Sequence, residues 1–413
     1  MTKSSQIQIL DKSDYTKQYL ISLETEPSVL SAGCISIQSR ILSITTNNFT
    51  YARLGHLMGW WSVWKIPETV PDPYNDTTRF GRISSWGYAE VLESNHDEVP
   101  VGTKLYGYMP IGDGTEDLEV AVDAETGHLW DVSKSRQHLL SIYNQYIPFT
   151  PETDLDQDRD GRGWDSLIRP LFETSYLLNR FVFSWDEKRT HPFGTSAPWT
   201  AAQADLANAI VILLAPSGKT GLMFAHQLRH ARPKEKQPRK VVAVGSQTSK
   251  IFSESTGLFD HVLLYSDARS GDIVKRVGVD KDTNVVLINF GARGDAEDDW
   301  YDAVKSAAGA MQLLIVGGDP SAAGRSKLAA LAEDPASGVA RCNMSGLRDC
   351  AMSMVGNQEY YAGVTEEWSR LKKGGVVNGS SLKWGRGMEE FKQGWDELCN
   401  GKYGPDVGLV YEV

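Results

Sequence analysis

The sequence has few cysteines, no long apolar run and no excess of basic charge. Its four cysteines include no Cys-x-x-Cys pair, which excludes a disulfide framework and a structural zinc site. No apolar run approaches the ~18 residues of a membrane span. The polar first twenty residues also lack the apolar core of a secretory signal. We therefore expect a cytoplasmic protein with no membrane partner.

Acidic residues outnumber basic residues by 53 to 42 in the 413-residue chain, which gives a net charge of −11. An acidic surface repels the phosphates of nucleic acids, so we expect no nucleic-acid partner. The run DLDQDRDGRGWD resembles a calcium loop through Asp156, Asp158 and Asp160, but Leu167 stands where such a loop carries a bidentate Glu. We predict no metal site.

The pattern of apolar, turn and helix-like segments along the chain predicts an α/β protein with two kinds of lobe. From about residue 24 to 120, short β-like runs alternate with turn residues, a pattern typical of a β-barrel. After about residue 171, apolar runs alternate with helix-like stretches, which favours a doubly wound parallel sheet. These runs are AIVILLA, KVVAVG, HVLLYS, NVVLINF and QLLIVGG. We predict a β lobe over 1–170, a parallel-sheet lobe over 171–345 and a segment over 346–413 that returns to the first lobe.

The segment AIVILLAPSGKTGLMFAHQLRH at 209–230 predicts a strand, a small-residue turn and a helix. Small residues at Ala215, Gly218 and Gly221 permit a sharp turn and let the backbone approach a pyrophosphate. This pattern predicts a dinucleotide site. The end of a P-loop is a rival interpretation of Gly218-Lys219-Thr220, but its required first glycine is replaced by Leu213. A tight turn without a ligand is the third interpretation.

The residues after the second predicted strand favour NADPH over NADH. An NAD site usually places an acidic residue there to bind the ribose hydroxyl. This chain has Ser246 and Lys250 instead, with Tyr265 after the third strand, and these groups suit a 2′-phosphate. Lys250 fits a solvated helix start equally well.

Five motifs stand out along the chain: NNFTYARLG at 47–55, WGYAEVLES at 86–94, VGTKLYGYMP at 101–110, YNQY at 143–146 and RPLFETSYLL at 169–178. Together they resemble the zinc-free, quinone-oxidoreductase-like members of the medium-chain dehydrogenase/reductase superfamily, in a branch recorded as a domain of unknown function. The resemblance implies a GroES-like β-barrel lobe, a Rossmann lobe and a tail that rejoins the first lobe. It also implies hydride transfer from NADPH without a metal.

The resemblance further implies where the cofactor binds. Three groups of residues would contact the pyrophosphate, the 2′-phosphate and the nicotinamide, respectively. They are Ser217, Gly218, Lys219, Thr220 and Gly221; Ser246, Lys250 and Tyr265; and Asn289, Phe290, Gly291, Val316 and Gly317. Two residues depart from the family pattern: Ala215 replaces the usual first glycine, and Lys219 occupies a position that is normally small.

Three tyrosines are candidates for the hydrogen-bond or proton donor. Tyr51 follows an Asn pair at a position where related reductases place substrate-facing polar groups, and Tyr143 and Tyr146 compete with it. The alternative is a packed side chain with a satisfied hydroxyl, which is the commoner role of a buried tyrosine. Substrate contacts are predicted for Asn48 and for an aromatic wall of Trp60, Trp61, Trp64 and Trp86, which core packing explains nearly as well.

We therefore expect an NADPH-dependent, zinc-independent reductase of an activated C=C or carbonyl group in a hydrophobic, polyketide- or quinone-like substrate. One alternative is a family member that performs non-redox acid/base chemistry, as an isomerase, cyclase or dehydratase. The other is a non-catalytic partner protein. The expected assembly is a monomer or a homodimer.

Overall fold

The computed structural model describes residues 3–25, 29–318 and 339–413. Contacts within the chain divide it into two units. The first unit comprises the residues up to Leu167 together with Ser381–Tyr403 and Val407–Val413. The second comprises Ile168–Ser380 and Gly404–Asp406.

The first unit begins with strands and two short helices. β1 and β2 form a hairpin ahead of the region predicted as β, and β4 pairs with β1 to make a small separate sheet. In chain order the elements are β1 (Lys3–Asp11), β2 (Asp14–Thr25), β3 (Cys34–Ile44), α1 (Thr46–Arg53), α2 (Gly55–Met58), β4 (Phe80–Gly81), β5 (Ser84–Ser94), β6 (Lys104–Pro110), β7 (Thr115–Val122), β8 (Leu129–Asp131) and β9 (Gln145–Phe149).

Within the described residues, six strands of this unit close into a barrel. The hydrogen-bonded pairs run from β3 through β5, β6, β9, β8 and β7 and back to β3. β3 closes the ring because residues 34–38 pair with β7 while residues 35–42 pair with β5. A Cβ at Gly87 of β5 would overlap the carbonyl oxygen of Ile41, so the two backbones approach closely at this point. The predicted barrel is confirmed.

The second unit alternates strands and helices, as the spacing of the apolar runs predicts. Its elements begin with α3, which starts in the first unit and continues as a π-helical turn at Leu178–Val182. In chain order they are α3 (Arg159–Leu177), α4 (Ala201–Ala204), β10 (Ile210–Leu214), α5 (Lys219–His230), β11 (Lys240–Gly245), α6 (Gln247–Ser255), β12 (His261–Leu264), α7 (Ile273–Val277), β13 (Asn284–Phe290), α8 (Ala296–Lys305), β14 (Ala310–Gly317), β15 (Val339–Arg341), α9 (Met344–Val355) and α10 (Asn357–Lys373).

The strands of the second unit form one parallel sheet in the order β12-β11-β10-β13-β14-β15 among the described residues. β10 is buried along its whole length, as expected of a central parallel strand covered on both faces. From β10 the chain first adds β11 and β12 on one side and then adds β13, β14 and β15 on the other side. The strand order therefore reverses between β10 and β13. Open α/β sheets bind ligands outside the carboxyl ends of the strands at such a point. The predicted Rossmann sheet is confirmed.

Residues 346–380 lie in the second unit, whereas the sequence predicted that the return segment begins at 346. A buried cluster holds α9 and α10 to α3. Arg348 Nε donates to Glu173 Oε1 at 2.9 Å, and the Tyr360 hydroxyl donates to the same oxygen at 2.7 Å. The sequence shows two amphipathic helices here but not which lobe they cover.

The chain then returns to the first unit through β16 (Ser381–Arg386), α11 (Gly387–Cys399) and β17 (Val407–Glu412). β17 runs antiparallel to β3, with Leu409 opposite Ile44, and β16 lies parallel to β17. β17 and β16 thus extend the sheet that forms the barrel. In the described residues, no helix combines the length and the apolar character that crossing a membrane requires.

Candidate functional site

The bend between β10 and α5 is held in a tight conformation. Ala215 has a φ of +56°, the left-handed region that favours glycine, which explains why glycine is usual at this position. Its amide donates to the Val244 carbonyl at 2.8 Å, and the Gly218 amide donates to the Ala215 carbonyl at 3.2 Å. A Cβ at Gly221 would lie 2.8 Å from Pro216 Cα and 3.1 Å from the Phe290 ring. Gly221 is therefore the residue that lets α5 pack closely on the sheet.

The start of α5 presents unpaired donors and one cation. The first bond of the helix runs from the Leu222 amide to the Gly218 carbonyl at 2.9 Å, so the amides of the preceding turn have no intrahelical acceptor. In the described part of the chain, no hydrogen bond or ion pair holds the ammonium group of Lys219. Desolvation lowers its pKa to about 8, against a smaller opposing effect of Asp406. Amides and a cation at a helix N-terminus form a favourable environment for a phosphate.

The predicted 2′-phosphate residues follow β11 and β12. Ser246 is the N-cap of α6, and its hydroxyl accepts from the Ser249 amide at 3.3 Å. One of its hydrogen bonds therefore stabilises the start of the helix. Lys250 Nζ lies 3.8 Å from Glu254 Oε1, a long and partly exposed ion pair. Tyr265 is half-buried against the core of the unit. Of the three, Lys250 is the most available to a ligand.

The predicted nicotinamide residues end β13 and β14. Asn289 Oδ1 accepts from the amides of Gly291 and Ala292 at 2.8 and 2.7 Å, and its Nδ2 donates to Glu297. Asn289 thus fixes the turn after β13. Phe290 packs on Phe224 of α5 with ring centroids 5.8 Å apart and pairs with Gly317 across the sheet. Val316 and Gly317 lie in the last residues of β14.

The parallel register brings these predicted cofactor residues to one edge of the sheet. The bend at 215–221, Ser246, Tyr265, the turn at 289–291 and residues 316–317 all follow or end strands at their carboxyl ends. The bend and the turn after β13 are in direct contact through Gly221 and Phe290. The edge therefore has the backbone geometry and the positive charge that a dinucleotide requires.

In the first unit, Tyr51 lies at the centre of an aromatic cluster. Helix α1 presents it one turn after Asn47, and a capping box between Thr45 and Asn48 fixes the start of that helix. The Tyr51 oxygen accepts from Asn47 Nδ2 at 2.7 Å and from Trp86 Nε1 at 2.9 Å. Burial raises the pKa of Tyr51, while hydrogen bonds from Trp86, Tyr143 and Asn47 oppose that rise.

Four other rings surround Tyr51. The ring centroids of Trp60, Tyr108 and Tyr143 lie 4.9, 5.1 and 6.0 Å from that of Tyr51, and Trp86 contacts both Tyr108 and Tyr143. Tyr143 is half-buried, unlike the other four rings, which are buried. Burial raises the pKa of Tyr143, and the neighbouring Tyr51 raises it further. We call Asn47, Tyr51, Trp60, Trp86, Tyr108 and Tyr143 the tyrosine cluster.

Tyr146 belongs to a different buried network. Its hydroxyl accepts from Arg136 Nη1 at 2.9 Å and donates to the Tyr108 carbonyl at 3.3 Å. Arg136 forms an ion pair with Asp131 at 2.9 Å and lies 5.0 Å from the ring of Trp64. These contacts hold Tyr146 and Trp64 within the barrel.

Asn48 and Trp61 have structural contacts of their own. Asn48 Oδ1 accepts from the Thr45 amide at 2.8 Å and its Nδ2 donates to the Ser84 carbonyl at 3.1 Å. Trp61 packs beside Gly55 and Gly81, where a Cβ would meet its ring. Of the predicted aromatic wall, Trp60 and Trp86 lie in the tyrosine cluster, whereas Trp61 and Trp64 do not. Substrate contacts of all these residues stay predictions.

Two features of the site lie outside the residues predicted from sequence. Asn47 was noticed only as part of an Asn pair, although its four-residue spacing from Tyr51 places both on one helix face. Tyr108 gave no signal beyond its place in a strand. Across the described ranges, no three His, Cys, Asp or Glu side chains are grouped so as to hold a metal ion.

A closed barrel and a parallel sheet in the order β12-β11-β10-β13-β14-β15 are the two folds that the resemblance implies, so the predicted fold class is confirmed. Within that architecture, the chain belongs to the family described as "Protein of unknown function (DUF2855)", whose model matches residues 42–404. No curated protein matches the sequence.

Solved structures match over nearly the whole chain at low identity. CurA from Vibrio vulnificus in complex with NADPH has a TM-score of 0.54 and 11% identity, with 99% of each chain covered. A mutant enoyl thioester reductase from Candida tropicalis has a TM-score of 0.54 and 11% identity, with 100% of each chain covered. A protein assigned as an NADPH:quinone reductase from Bacillus thuringiensis has a TM-score of 0.56 and 11% identity, again over 100% of each chain. At this identity the likeness shows a shared fold.

Proposed function

We propose that the protein binds NADPH on its parallel-sheet unit and reduces an activated C=C or carbonyl group of a small hydrophobic substrate without zinc. The observation that carries the proposal is the bend at 215–221. It combines a left-handed Ala215, a close-packed Gly221 and a Lys219 whose ammonium group has no partner within the described ranges, at the point where the strand order reverses. Structures of the same fold include CurA with NADPH.

The residues present fit a dinucleotide diphosphate. The free amides at the start of α5 are donors for its oxygens, and the ammonium of Lys219 supplies charge. With a pKa of about 8, this ammonium is mostly protonated at pH 7. Because no described ion pair or hydrogen bond of this ammonium has to be broken before a phosphate binds, binding is favoured.

The preference for NADPH rests on Lys250. The strand β11 ends at Gly245 and is followed by Ser246, with no carboxylate to bind a ribose 2′-hydroxyl. In the part of the chain that the structure describes, Lys250 is held by one long ion pair, so its ammonium can turn to a 2′-phosphate at small cost. Zinc independence rests on the scattered cysteines of the sequence.

A bound NADPH supplies a hydride, and the protein's own part is to orient it and to supply a proton. The tyrosine cluster offers hydroxyl donors in an apolar setting, where hydrogen bonds to a developing oxyanion are strong. Its rings provide flat apolar surface of the kind that polyketide- and quinone-like substrates fill.

The first experiment measures nucleotide binding by calorimetry, with NADPH, NADH and NADP⁺ in parallel. We expect heat with NADPH, weaker binding of NADH and no effect of a zinc chelator. A panel of enones and quinones then tests for consumption of NADPH at 340 nm. Absence of binding by every pyridine nucleotide would overturn the proposal.

A non-redox activity is the second candidate, since the tyrosine cluster is an acid/base group that lies in one unit and needs no hydride. It predicts turnover of a substrate in the absence of any nicotinamide nucleotide. Conversion that depends strictly on NADPH would exclude it.

A further inference from the structure

The last turns of α5 carry two histidines on one face. His226 and His230 are four residues apart, a spacing that places both side chains on the same side of a helix. Their ring centroids lie 4.5 Å apart, with an angle of 39° between the ring planes. Two helical imidazoles at this spacing can bind one metal ion together. The pair belongs neither to the predicted cofactor residues nor to the tyrosine cluster.

The ring of His226 is buried on the side of Nδ1. This nitrogen is buried without a hydrogen-bond partner among the residues that the structure describes, although the residue as a whole is half-buried. Nε2 is therefore the nitrogen that the ring can offer to a ligand. Because Nδ1 lacks a partner in either tautomer, binding through Nε2 breaks no existing hydrogen bond of Nδ1. His230 is exposed, so an ion from solution can reach the pair.

The charges around the pair leave room for a cation. Burial, together with the neighbouring His230, lowers the pKa of His226 to about 4, so its imidazole is neutral at pH 7 and keeps a lone pair for a metal. The guanidinium of Arg229, which lies between the two histidines in sequence, is held by Asp260 and by the Leu258 carbonyl. The carboxyl end of a helix is also the negative end of its dipole, which stabilises a bound cation.

We propose that His226 and His230 together bind one divalent transition-metal ion of the nickel, copper and zinc group, through Nε2 of His226 and the ring of His230. Imidazole is a preferred ligand of these metals, whereas Mg²⁺ and Ca²⁺ prefer oxygen ligands. No third His, Cys, Asp or Glu is grouped with the pair among the described residues, so water fills the remaining coordination positions. The ion joins two successive turns of α5 and thereby stabilises the end of the helix.

The pair is separate from the bend at 215–221. His226 follows Lys219 by seven residues, which corresponds to about 10 Å along a helix. An ion on the pair therefore does not share ligands with a diphosphate at the start of α5. The inference consequently does not depend on the proposed reductase function, and the ion has no part in hydride transfer.

The first experiment titrates the whole protein, purified without a polyhistidine tag, with Ni²⁺ and Zn²⁺ by calorimetry. We expect binding of one ion per chain and no binding of Mg²⁺ at the same concentrations. His226→Gln and His230→Gln each remove one of the two ligands and should weaken binding by about tenfold or more. His56→Gln is the matched control, because His56 is an exposed histidine of α2 in the first unit. It should leave the affinity unchanged.

The second experiment identifies the ligand atoms by electron paramagnetic resonance of the Cu²⁺ complex. Coordination by both rings should give hyperfine splitting from two nitrogen atoms, and each single variant should lose one of them. Circular dichroism checks that each variant is folded. His230→Gln keeps the test informative in any case, because a substitution at an exposed position rarely disturbs the fold.

The outcomes are distinct from those of the nucleotide experiments. Absence of Ni²⁺ and Zn²⁺ binding by the wild type overturns the proposal, and the two rings then only pack on each other. Unchanged binding in His226→Gln or in His230→Gln also overturns it, because the ion then lies elsewhere. Loss of metal binding in both variants with unchanged NADPH binding is the expected result. Failure of the metal site leaves the proposed reductase function standing, and absence of NADPH binding leaves the metal site standing.

Discussion

The bend at 215–221 and the tyrosine cluster use polar groups in opposite ways. At the bend, the ammonium group of Lys219 and several amides have no partner among the described residues, and the backbone is held tightly around them. In the cluster, the donors of Asn47 and Trp86 are already satisfied by Tyr51, inside an aromatic core. The first arrangement suits a ligand that brings its own fixed charge. The second suits a charge that exists only during a reaction, since the donors need not reorganise.

The comparison predicts that polar substitutions in the barrel cost stability, whereas those at the bend cost binding. The largest effect is expected for Arg136→Leu. This change leaves the Asp131 carboxylate, whose side chain is 2% exposed, buried without its ion-pair partner. We expect the free energy of unfolding to fall by about 3–5 kcal/mol, measured by urea denaturation.

Arg386→Leu is the matched control, because the Arg386 side chain is 84% exposed and its guanidinium pairs with Glu412. Its loss should cost less than about 1 kcal/mol. Equal free energies of unfolding for the two variants would mean that the buried ion pair stabilises the barrel no more than the exposed ion pair does.

Gly221→Val tests the close packing at the bend. Its Cβ would lie 2.8 Å from the Pro216 backbone, and a backbone atom cannot move aside as a side chain can. We expect a loss of about 1–3 kcal/mol in stability from overpacking and loss of detectable NADPH binding. Gly218→Ala is the control for stability, because its Cβ would meet only the Ala215 carbonyl oxygen at 3.4 Å. Tight NADPH binding by Gly221→Val would show that the diphosphate lies elsewhere.

Lys219→Met separates binding from stability at the same position. Removal of a charged donor should weaken NADPH binding by about 10- to 100-fold. Because the folded pKa of about 8 lies below the ordinary value of 10.5, protonation opposes folding, and this cost is fully present below pH 8. The variant should therefore melt at a higher temperature than the wild type at pH 7.

The pH dependence of binding gives the same residue a second test. Wild-type affinity for NADPH should fall as the pH rises above 8 and the ammonium loses its proton, whereas the affinity of Lys219→Met should not follow that change. Calorimetry at pH 7, 8 and 9 measures both. A parallel fall in the two proteins would place the titrating group elsewhere.

The fold was predictable where burial leaves a continuous pattern in the sequence. The run NVVLINF matches β13 residue for residue, because a parallel strand covered on both faces is apolar over most of its length. β1 and β2 were not predicted, since the buried Ile7 and Ile9 of β1 and the buried Ile21 of β2 stand in segments that are polar overall. The lobe that α9 and α10 cover depends on partners such as Glu173, which no local pattern reveals.

The two regions of the site differ in the same respect. The bend was predicted from spacing alone, because a turn and the helix that follows it are local. In the tyrosine cluster only the pair Asn47 and Tyr51 is local. Trp86 lies 35 residues from Tyr51 in the sequence, and Tyr143 joins them only through the closure of the barrel. A single sequence therefore provided a list of tyrosines but not their partners.

The smallest effect is expected for Lys250→Ala, which tests the preference for NADPH. Lys250 is partly exposed and its ion pair with Glu254 is long, so its loss should leave stability within about 0.5 kcal/mol. If its ammonium contacts the 2′-phosphate, NADPH affinity should fall by about five- to tenfold while NADH affinity stays unchanged, since NADH has no phosphate there. Lys275→Ala, an exposed lysine on α7, is the control. Equal losses of affinity for both nucleotides would mean that Lys250 contributes only general positive charge at the sheet edge. The preference for NADPH would then have to come from Ser246 and Tyr265.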